Sequence, residues 1–443
     1  MIVANKTPVY YSHSLHLPHL RIIYCVVFLT GAGKVKRMPR DSLDGIRVLD
    51  FSHVVAGPVC GMLLGDLGAD VVKIEALEGE LGRTLGPPWI NGESVVALSV
   101  NRNKRGLAVN LKDPEARKAV LRMAANADVI IESFRPGVME KLGLGYPEIA
   151  TLNPGIVYCS VSAYGQNSSQ RDKPGVDGII QAATGLMSTL GEAGAGPTKV
   201  SIPIADMTTG YLATVTILAA LQKRSRTQTG QQLDVSLYNA TIMLQQVGMS
   251  FFLATDEEPQ RIGSAAAYAA PNEAFPTADG WIMVAAYQPE RWKKLCVELD
   301  FPELETDIRF STNSLRVLNR AALNDYLGTA FRKRPSSEWI GVLNAIDILC
   351  APVATYKEVT QSPQYRHGGT ETYVDHPVAG RVRMPSFSVG DMGAESTPSL
   401  PPPMIGEHSE LILAEYGFSP TEIDVLMSRG AVKQTIAPKV QKF

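Results

Sequence analysis

The chain has little net charge, few histidines and few cysteines, and each shortage excludes a class of function. Its 42 Lys and Arg and 44 Asp and Glu leave a formal charge of −2, so no basic field is available to hold a nucleic acid. The five cysteines are scattered, with no Cys-x-x-Cys pair and no histidine at ligand spacing. We therefore expect no disulfide framework, no metal site, and a reducing, cytoplasmic compartment.

Long apolar runs are also lacking. The longest, Ile22–Leu29, has eight residues, whereas a membrane-spanning helix needs about twenty, so we expect no contact with a membrane. This run lies in an N-terminal extension, residues 1–37, that differs in character from the rest. Small residues after the run are typical of a secretory signal, but the basic residues follow the run instead of preceding it. A disordered extension therefore fits better than a signal peptide.

Beyond the extension, strand-like runs alternate with helical runs, which is typical of an α/β fold with a parallel sheet and crossover helices. Ile46–Phe51 and Ala69–Glu75 are predicted strands on either side of a predicted helix, Pro58–Leu67. The composition becomes polar at 255–263, where we place a domain boundary. An Asp-Gly pair at 279–280 then predicts a hairpin.

The turn Ala56-Gly57-Pro58 follows the first predicted strand, at the sheet edge where α/β proteins bind ligands. A nicotinamide dinucleotide is the first hypothesis for this edge. It fails because Gly-x-Gly-x-x-Gly is absent and because Pro58 has no amide to offer a pyrophosphate.

Two cationic segments, Asn101–Arg105 and Ser133–Gly137, follow further along the chain, with Lys112 and Lys141 nearby. A short basic run is usually a solvated face. Several such runs at the ends of neighbouring strands instead favour a site for a phosphorylated ligand.

Asp206 opens a predicted helix after Ile202–Ala205. Aspartate is a common helix N-cap, which explains most residues of this kind. The same position also keeps a carboxylate ionised beside backbone amides, and an ionised carboxylate can act as a covalent nucleophile. The sequence pattern alone leaves both interpretations open.

Several motifs, in their order along the chain, resemble the class III CoA-transferases of the CaiB/BaiF type, which include formyl-CoA transferase. The matching segments are Leu43–Phe51, Ala56–Pro58, Leu67–Glu75, Asn101–Arg105, Phe134–Gly137, Asp206-x-x-x-Gly210, Cys350–Val353 and Gly406–His408. The resemblance implies a transferase that moves CoA from an acyl-CoA to a carboxylic acid through an aspartyl mixed anhydride and an aspartyl-CoA thioester. The residue that matches the family's nucleophile is Asp206. The resemblance implies no metal and no tightly bound cofactor, since the CoA thioester is itself a substrate.

The resemblance also implies where CoA binds and how the chain is divided. The family's CoA contacts correspond here to Val55, Ala56, Val109, Lys112, Ser133, Phe134, Arg135 and Lys141. The family commonly has asparagine where this chain has Ser133, which puts one hydrogen bond to CoA in doubt. The implied fold is a large Rossmann-like domain (38–254), a smaller α+β domain (255–349) and a C-terminal part (350–443) that returns to the large domain. A homodimer of interlocked rings is expected.

The same family contains α-methylacyl-CoA racemases, which are the alternative function. These use a His and an Asp as proton-transfer bases, and the Asp corresponds to Asp177. Val176 occupies the position of the histidine, and an isopropyl group cannot accept a proton. This position favours a transferase, in which Asp177 either supports the intermediate or caps the following helix.

The segment Arg261–Asn272 is expected to border the substrate pocket, because it lies between the domains in the family. Formyl-CoA transferases carry a Gly-rich loop there, whereas residues 263–268 are rich in alanine, so formyl and oxalate substrates are not expected. Arg261 can pair with a second carboxylate, which predicts a short dicarboxylate such as succinate. The alternative is that Arg261 is an exposed surface cation.

Overall fold

The computed structural model describes residues 42–367, 370–386 and 400–436. The predicted disordered extension, residues 1–37, lies outside them. The strands among the described residues are β1 (Arg47–Asp50), β2 (Asp70–Glu75), β3 (Trp89–Ile90), β4 (Glu93–Ser94), β5 (Lys104–Val109), β6 (Val129–Glu132), β7 (Val157–Ser162), β8 (Gln231–Ser236), β9 (Asn272–Pro276), β10 (Trp281–Ala285), β11 (Leu349–Pro352), β12 (Glu371–His376), β13 (Gly380–Pro385) and β14 (Val432–Lys433).

The α-helices of the same residues are α1 (Ala56–Asp66), α2 (Val95–Val100), α3 (Pro114–Ala124), α4 (Val138–Lys141), α5 (Tyr146–Leu152), α6 (Asp177–Ala183), α7 (Leu186–Thr189), α8 (Ile204–Thr227), α9 (Leu237–Leu244), α10 (Gln246–Thr255), α11 (Pro289–Glu298), α12 (Asn313–Leu318), α13 (Arg320–Phe331), α14 (Ser336–Ala345), α15 (Tyr356–Gln361), α16 (Pro363–His367), α17 (Ser409–Glu415) and α18 (Pro420–Ser428). Short 3-10 helices span Leu81–Thr84 and Pro302–Glu305.

The central sheet has seven strands in the order β14-β5-β2-β1-β6-β7-β8. All neighbouring pairs are parallel except β14 with β5. The chain builds from β1 to β2 and β5 on one side, and then from β6 to β8 on the other side of β1. The strand order therefore reverses between β1 and β6, which is where open α/β sheets bind ligands. The predicted α/β fold with a mostly parallel sheet is confirmed.

Helices cover both faces of this sheet because its inner strands are apolar on both sides. Val48 of β1 packs with Cys60 of α1 and Ile217 of α8 in one core. The next residue, Leu49, points to the opposite face and packs with Val120 of α3, together with α17 and α18. Alternation along β1 thus gives the sheet two cores, and α1 and α8 lie side by side in one of them.

Two glycines one turn apart let α1 lie directly on the residues at the end of β1. A Cβ atom on Gly57 would lie 2.2 Å from Ser52 Cβ, and one on Gly61 would lie 2.6 Å from Asp50 Oδ2. The Asp50 carboxylate is fully buried and accepts a hydrogen bond from Lys104 Nζ at 2.8 Å. Glycine is therefore required at both positions by close packing against a buried ion pair.

A second, three-stranded sheet has the order β11-β10-β9 and is antiparallel. The predicted hairpin at Asp279-Gly280 is confirmed, since β9 and β10 pair on either side of it and Thr277 N donates to Gly280 O. Phe275, Ile282 and helices α11, α13 and α14 form a core of their own around this sheet. Strand β11 spans residue 350 and belongs to this sheet, so the predicted division between 255–349 and 350–443 falls inside a strand.

The described residues 409–433 pack on the central sheet. Strand β14 pairs with β5, with Val432 opposite Val109. Ile412 of α17 and Leu426 of α18 belong to the same core as α3. The last described residues therefore cover the edge of β5, which would otherwise be open to solvent.

Three elements differ from the sequence-based expectations. Helix α1 begins at Ala56 instead of at Pro58, because a proline in the first turn loses no intrahelical hydrogen bond. Strand β5 occupies part of the cationic segment 101–105, which was not expected to be a strand. The run of apolar and small residues over 179–190 predicts one helix, whereas the structure has two short helices there, divided where Gly185 takes a φ of +79°.

Candidate active site

Asp206 lies in the first turn of α8, at the edge of the sheet where the strands end. The residue at the N-cap position is Pro203, with no side-chain cap, so Asp206 does not cap its own helix. Its side chain is half-buried, and the part of the chain that the structure describes offers its carboxylate no hydrogen-bond donor. The interpretation of Asp206 as a helix cap is therefore wrong.

Asp177 supplies the cap that α8 lacks. Asp177 belongs to α6, and its Oδ2 accepts hydrogen bonds from two amides of α8, Ala205 N at 2.8 Å and Asp206 N at 3.4 Å. Its Oδ1 accepts from Gln181 Nε2 at 2.7 Å, and Gln181 in turn accepts from Val200 N at 2.9 Å. Asp177 and Gln181 are both buried. Asp177 thus fixes the position of Asp206 and does not cap α6, which begins at Asp177 itself.

Asp177 perturbs the carboxylate of Asp206. Burial first, and then the charge of Asp177, together raise the pKa of Asp206 to about 7. A carboxylate with a pKa near neutrality is a stronger base and nucleophile than an ordinary aspartate, while a large fraction of it stays ionised at pH 7. Carboxylate pairs in which the pKa of one member is shifted toward neutrality are common in active sites.

The N terminus of α1 lies beside that of α8. A Cβ atom on Gly210, one turn after Asp206, would lie only 2.7 Å from Ala56 O, and Met207 packs against Val55. Within residues 42–367, 370–386 and 400–436, the amides of Val55 and Ala56 donate to no acceptor. Free amides at a helix N terminus attract negative charge, such as an oxyanion or a thiolate.

A cavity of about 830 Å³ opens at the carboxyl ends of β1, β2, β5 and β6. It brings together four of the predicted CoA contacts, namely Val109, Lys112, Phe134 and Lys141. Lys112 and Lys141 are exposed, and neither forms an ion pair with any described residue. The cavity therefore offers two unneutralised ammonium groups to a phosphorylated ligand.

The cavity and Asp206 lie on opposite sides of the β1–α1 turn, residues 51–55. Phe51 lines the cavity and belongs to the core on the α3 face, whereas Ala56 belongs to the core that contains α8. A ligand that occupied the cavity and reached Asp206 would have to cross this turn. The turn therefore lies between the cavity and the carboxylate of Asp206.

Ser133 holds the β1–α1 turn in place. Its Oγ accepts a hydrogen bond from His53 N at 2.9 Å and lies 3.1 Å from His53 Nδ1. Burial lowers the pKa of His53, which favours the neutral ring, and the tautomer of that ring decides whether Nδ1 accepts from or donates to the hydroxyl group. Ser133 thus contacts both the backbone and the ring of His53. Its predicted direct contact with CoA stays a prediction.

The segment 101–105 does not form the predicted phosphate site. Arg102 pairs with Asp66, Lys104 with Asp50, and Arg105 with both Asp70 and Glu415. Arg102 and Lys104 are buried. These cations neutralise carboxylates within the fold, and the interpretation of this segment as a ligand-binding patch is wrong.

The structure does not place two predicted residues with the others. Arg135 is exposed and does not line the cavity. Arg261 is half-buried beside Gly191, and its Nε is buried with no hydrogen-bond partner among the described residues. The alternative reading of Arg261 as an exposed surface cation is therefore wrong, while its predicted contact with a substrate carboxylate stays a prediction.

Two further residues of the site were not predicted. His53 and Glu80 both line the cavity; His53 lies in the β1–α1 turn and contacts Ser133, and Glu80 binds the turn at Val54 N. Each follows the end of a strand, β1 or β2, by no more than five residues. That position is the signal in the sequence that points to them.

Helix α8 is the one described helix that is long and apolar enough to cross a membrane by length and composition alone. Its buried apolar residues pack against α1 and against strands β7 and β8. Across the described ranges, no group of three or more His, Cys, Asp or Glu is arranged to hold a metal ion.

The chain is similar to proteins that share one named activity. Residues 43–409 match the family model described as CoA-transferase family III. A protein of Mus musculus named succinyl-CoA:glutarate CoA-transferase is 35% identical over 395 residues, which cover 88% of this chain and 90% of that protein. An Agrobacterium fabrum protein named succinate–glutarate CoA-transferase is 33% identical, with 84% of this chain and 95% of that one covered. The crystal structure of a CaiB/BaiF family protein from Brucella suis matches with a TM-score of 0.75 at 32% identity, over 84% of this chain and 98% of that one.

Proposed function

The chain belongs to CoA-transferase family III, and on that premise we propose that it moves CoA from an acyl-CoA to a free carboxylic acid through covalent intermediates on Asp206. The observation that carries this proposal is the raised pKa of Asp206, about 7, beside the free amides at the N terminus of α1. Asp177, the neighbouring carboxylate, is buried, and both of its oxygens already accept hydrogen bonds.

The proposed reaction has four balanced steps. The Asp206 carboxylate attacks the thioester carbonyl, the C–S bond breaks, and a mixed anhydride and CoA thiolate form. The thiolate attacks the Asp206 carbonyl carbon and releases the donor acid, which leaves an aspartyl-CoA thioester. The acceptor carboxylate attacks this thioester and regenerates a mixed anhydride and thiolate. The thiolate then attacks the acyl carbonyl of the acceptor, which gives the new acyl-CoA and frees Asp206.

The free amides of Val55 and Ala56 support these steps because each step places negative charge on an oxygen or a sulfur atom. Preorganised donors that meet developing charge stabilise a transition state more than a ground state. Asp177 contributes by holding Asp206 at the start of α8.

We propose that the phosphate groups of CoA bind in the cavity near Lys112 and Lys141. Alanine at either position should weaken CoA binding, and the loss should shrink as salt is added, because the contact is an exposed charge pair. Calorimetry at two ionic strengths measures this. A loss that does not depend on salt would contradict a phosphate contact.

The proposed acceptors are short dicarboxylates, and the proposed donors are CoA thioesters of such acids. Succinyl-CoA is the proposed donor, and glutarate is one proposed acceptor. Two observations support this choice: the names of the two relatives, and the buried Nε of Arg261, which lacks a partner. Arg261→Ala should raise KM for dicarboxylates and leave KM for matched monocarboxylates unchanged. An equal effect on both classes would remove Arg261 from substrate recognition.

We propose that the active protein is a cytoplasmic homodimer. Val215 of α8 and Val247 and Leu253 of α10 expose 59–72% of their surface, and a partner chain that covered these side chains would remove their apolar surface from water. Light scattering during gel filtration tests the dimer, and a monomer at micromolar concentration would contradict it.

The covalent mechanism is tested by incubating the protein with succinyl-CoA and trapping the intermediate with hydroxylamine. Peptide mass spectrometry should locate a hydroxamate on Asp206, and Asp206→Asn should show neither trapping nor transfer. Asp234→Asn, which alters a carboxylate outside the site, is the control and should retain trapping. A label on any other residue would refute the proposal. Exchange of an α-proton of 2-methylacyl-CoA into deuterated water, without an acceptor acid, would indicate a racemase instead.

A further inference from the structure

The β1–α1 turn contains a valine in a backbone conformation that valine rarely adopts. Val54 has a φ of +67°, which for a β-branched residue is a genuine outlier. Such conformations persist only where the surroundings impose them, and they concentrate at functional sites. The contacts of Val54 therefore show what imposes this one.

The carboxylate of Glu80 holds the turn. Val54 N donates to Glu80 Oε2 at 3.1 Å, and Gly82 N donates to the same oxygen at 2.5 Å. The other oxygen, Oε1, is buried and has no partner within the described part of the chain. A single oxygen of Glu80 therefore makes both contacts.

Glu80 is itself fixed from behind. Glu80 N donates to Glu75 Oε2 at 3.1 Å, and Arg83 binds both oxygens of Glu75 at 2.7 Å. Arg83 also donates to Pro403 O at 2.8 Å. The position of the Glu80 carboxylate is thus set by a chain of contacts that does not involve the turn.

We propose that Glu80 is a positioning residue for the transfer reaction, because it keeps Val54 at a positive φ and thereby aims the free amides of Val55 and Ala56 toward the reacting carbonyl at Asp206. This inference rests on the proposed function. The turn lies between the cavity and Asp206, so a change at Val54 would move the amides, whereas the cavity walls formed by Ile74, Val109 and Phe134 would stay in place.

The first test compares three variants. Glu80→Ala removes the acceptor, and we expect kcat to fall on the order of 10- to 100-fold, the range produced by displacing a catalytic group by up to about 1 Å. KM for the acyl-CoA should not rise by more than about threefold, since loss of a negative charge does not weaken binding of an anion. Glu80→Gln keeps one oxygen at the place of Oε2 and should retain kcat. Glu290→Ala, on the exposed side of α11, is the control.

The second test removes the steric cost of the positive φ at Val54 in a protein that lacks the Glu80 carboxylate. Glycine adopts a positive φ without steric cost, so Val54→Gly in the Glu80→Ala background should restore part of the lost kcat. A merely structural role would give Glu80→Ala a lower melting temperature with normal kcat. Unchanged kcat in Glu80→Ala, equal loss in Glu80→Gln, or no recovery in the double variant would each overturn the proposal.

A crystal structure of Glu80→Ala separates this inference from the proposed function. Val54 at a negative φ in this variant would support the role of Glu80 even if the wild-type protein trapped no intermediate on Asp206. Val54 still at a positive φ would overturn the role of Glu80 even if the transferase mechanism were correct.

Discussion

Substitution of Gly210 by alanine tests whether the closeness of α1 and α8 is needed for reaction. The added Cβ atom would lie 2.7 Å from Ala56 O and 2.8 Å from Val59 Cβ. Ordinary contact begins at 3.4 Å, so the helices must separate by about 0.7 Å, since neither a carbonyl oxygen nor a Cβ atom can rotate away. The separation falls between Asp206 and the amides of Val55 and Ala56.

The expected cost has two parts. Overpacking of a close helix contact costs about 1–3 kcal/mol of folding stability, and the better helix propensity of alanine returns up to about 1 kcal/mol. The protein should therefore fold, with a melting temperature lowered by a few degrees. Because displacement of a reacting group by about 1 Å can cost about 100-fold in rate, kcat should fall on the order of 10- to 100-fold.

The assay is acyl-CoA exchange followed by chromatography, with CoA affinity measured separately by calorimetry. CoA affinity should change little, because the cavity lies on the opposite face of the sheet. Gly341→Ala in α14 is the matched control, since a Cβ atom there meets nothing within 4 Å. A folded Gly210→Ala protein with kcat within about twofold of wild type would refute the idea that this spacing serves catalysis.

Three further predictions follow from the charged groups. The value of kcat/KM should rise with pH around an inflection near 7, because Asp206 must lose its proton to attack. Asp177→Asn removes a neighbouring negative charge and should move this inflection to lower pH. A flat profile between pH 6 and 8 would contradict this prediction. Asp206→Asn should raise the melting temperature more at pH 8 than at pH 4. In the folded wild-type protein the pKa of Asp206 is about 7, above its ordinary value of 3.8, so the native state binds a proton that the unfolded state has lost. The wild-type protein therefore loses stability as the pH rises from 3.8 to 7, and the variant does not. Equal gains at both pH values would contradict that reasoning. Lys104→Met leaves the buried Asp50 without its nearest cation and should cost about 3–5 kcal/mol in urea unfolding. Lys73 is a second buried cation whose charge acts on Asp50, and a loss under about 1 kcal/mol would mean that Lys73 alone suffices.

The strands and the site edge were predictable because they depend on local patterns. Alternating apolar residues locate β1 and β2, and Asp279-Gly280 locates a hairpin, since each signal lies within a few residues. The family motifs located Asp206 in the same way. The confirmed features are those for which neighbouring residues carry the information.

The features that were missed depend on residues far apart in sequence. Strand β5 begins with Lys104 and Arg105, whose charges predict an exposed segment, and only the arrival of Asp50 and Asp70 from other strands makes them structural. Likewise, no local pattern shows that Asp177 caps α8, because its partners lie 28 and 29 residues away. Charge alone therefore cannot separate a ligand site from an internal ion pair.

The pairing of β14 with β5 has a consequence for how the protein can be shortened or tagged. Val432 lies opposite Val109, a wall of the cavity, and Lys433 Nζ donates to Leu77 O at 3.2 Å on the same rim. A chain cut before Val432 would expose a six-residue strand edge that is ready to pair with another molecule. Aggregation and weak CoA affinity would then appear together. Fusion partners at the C terminus should accordingly follow a spacer that leaves β14 undisturbed.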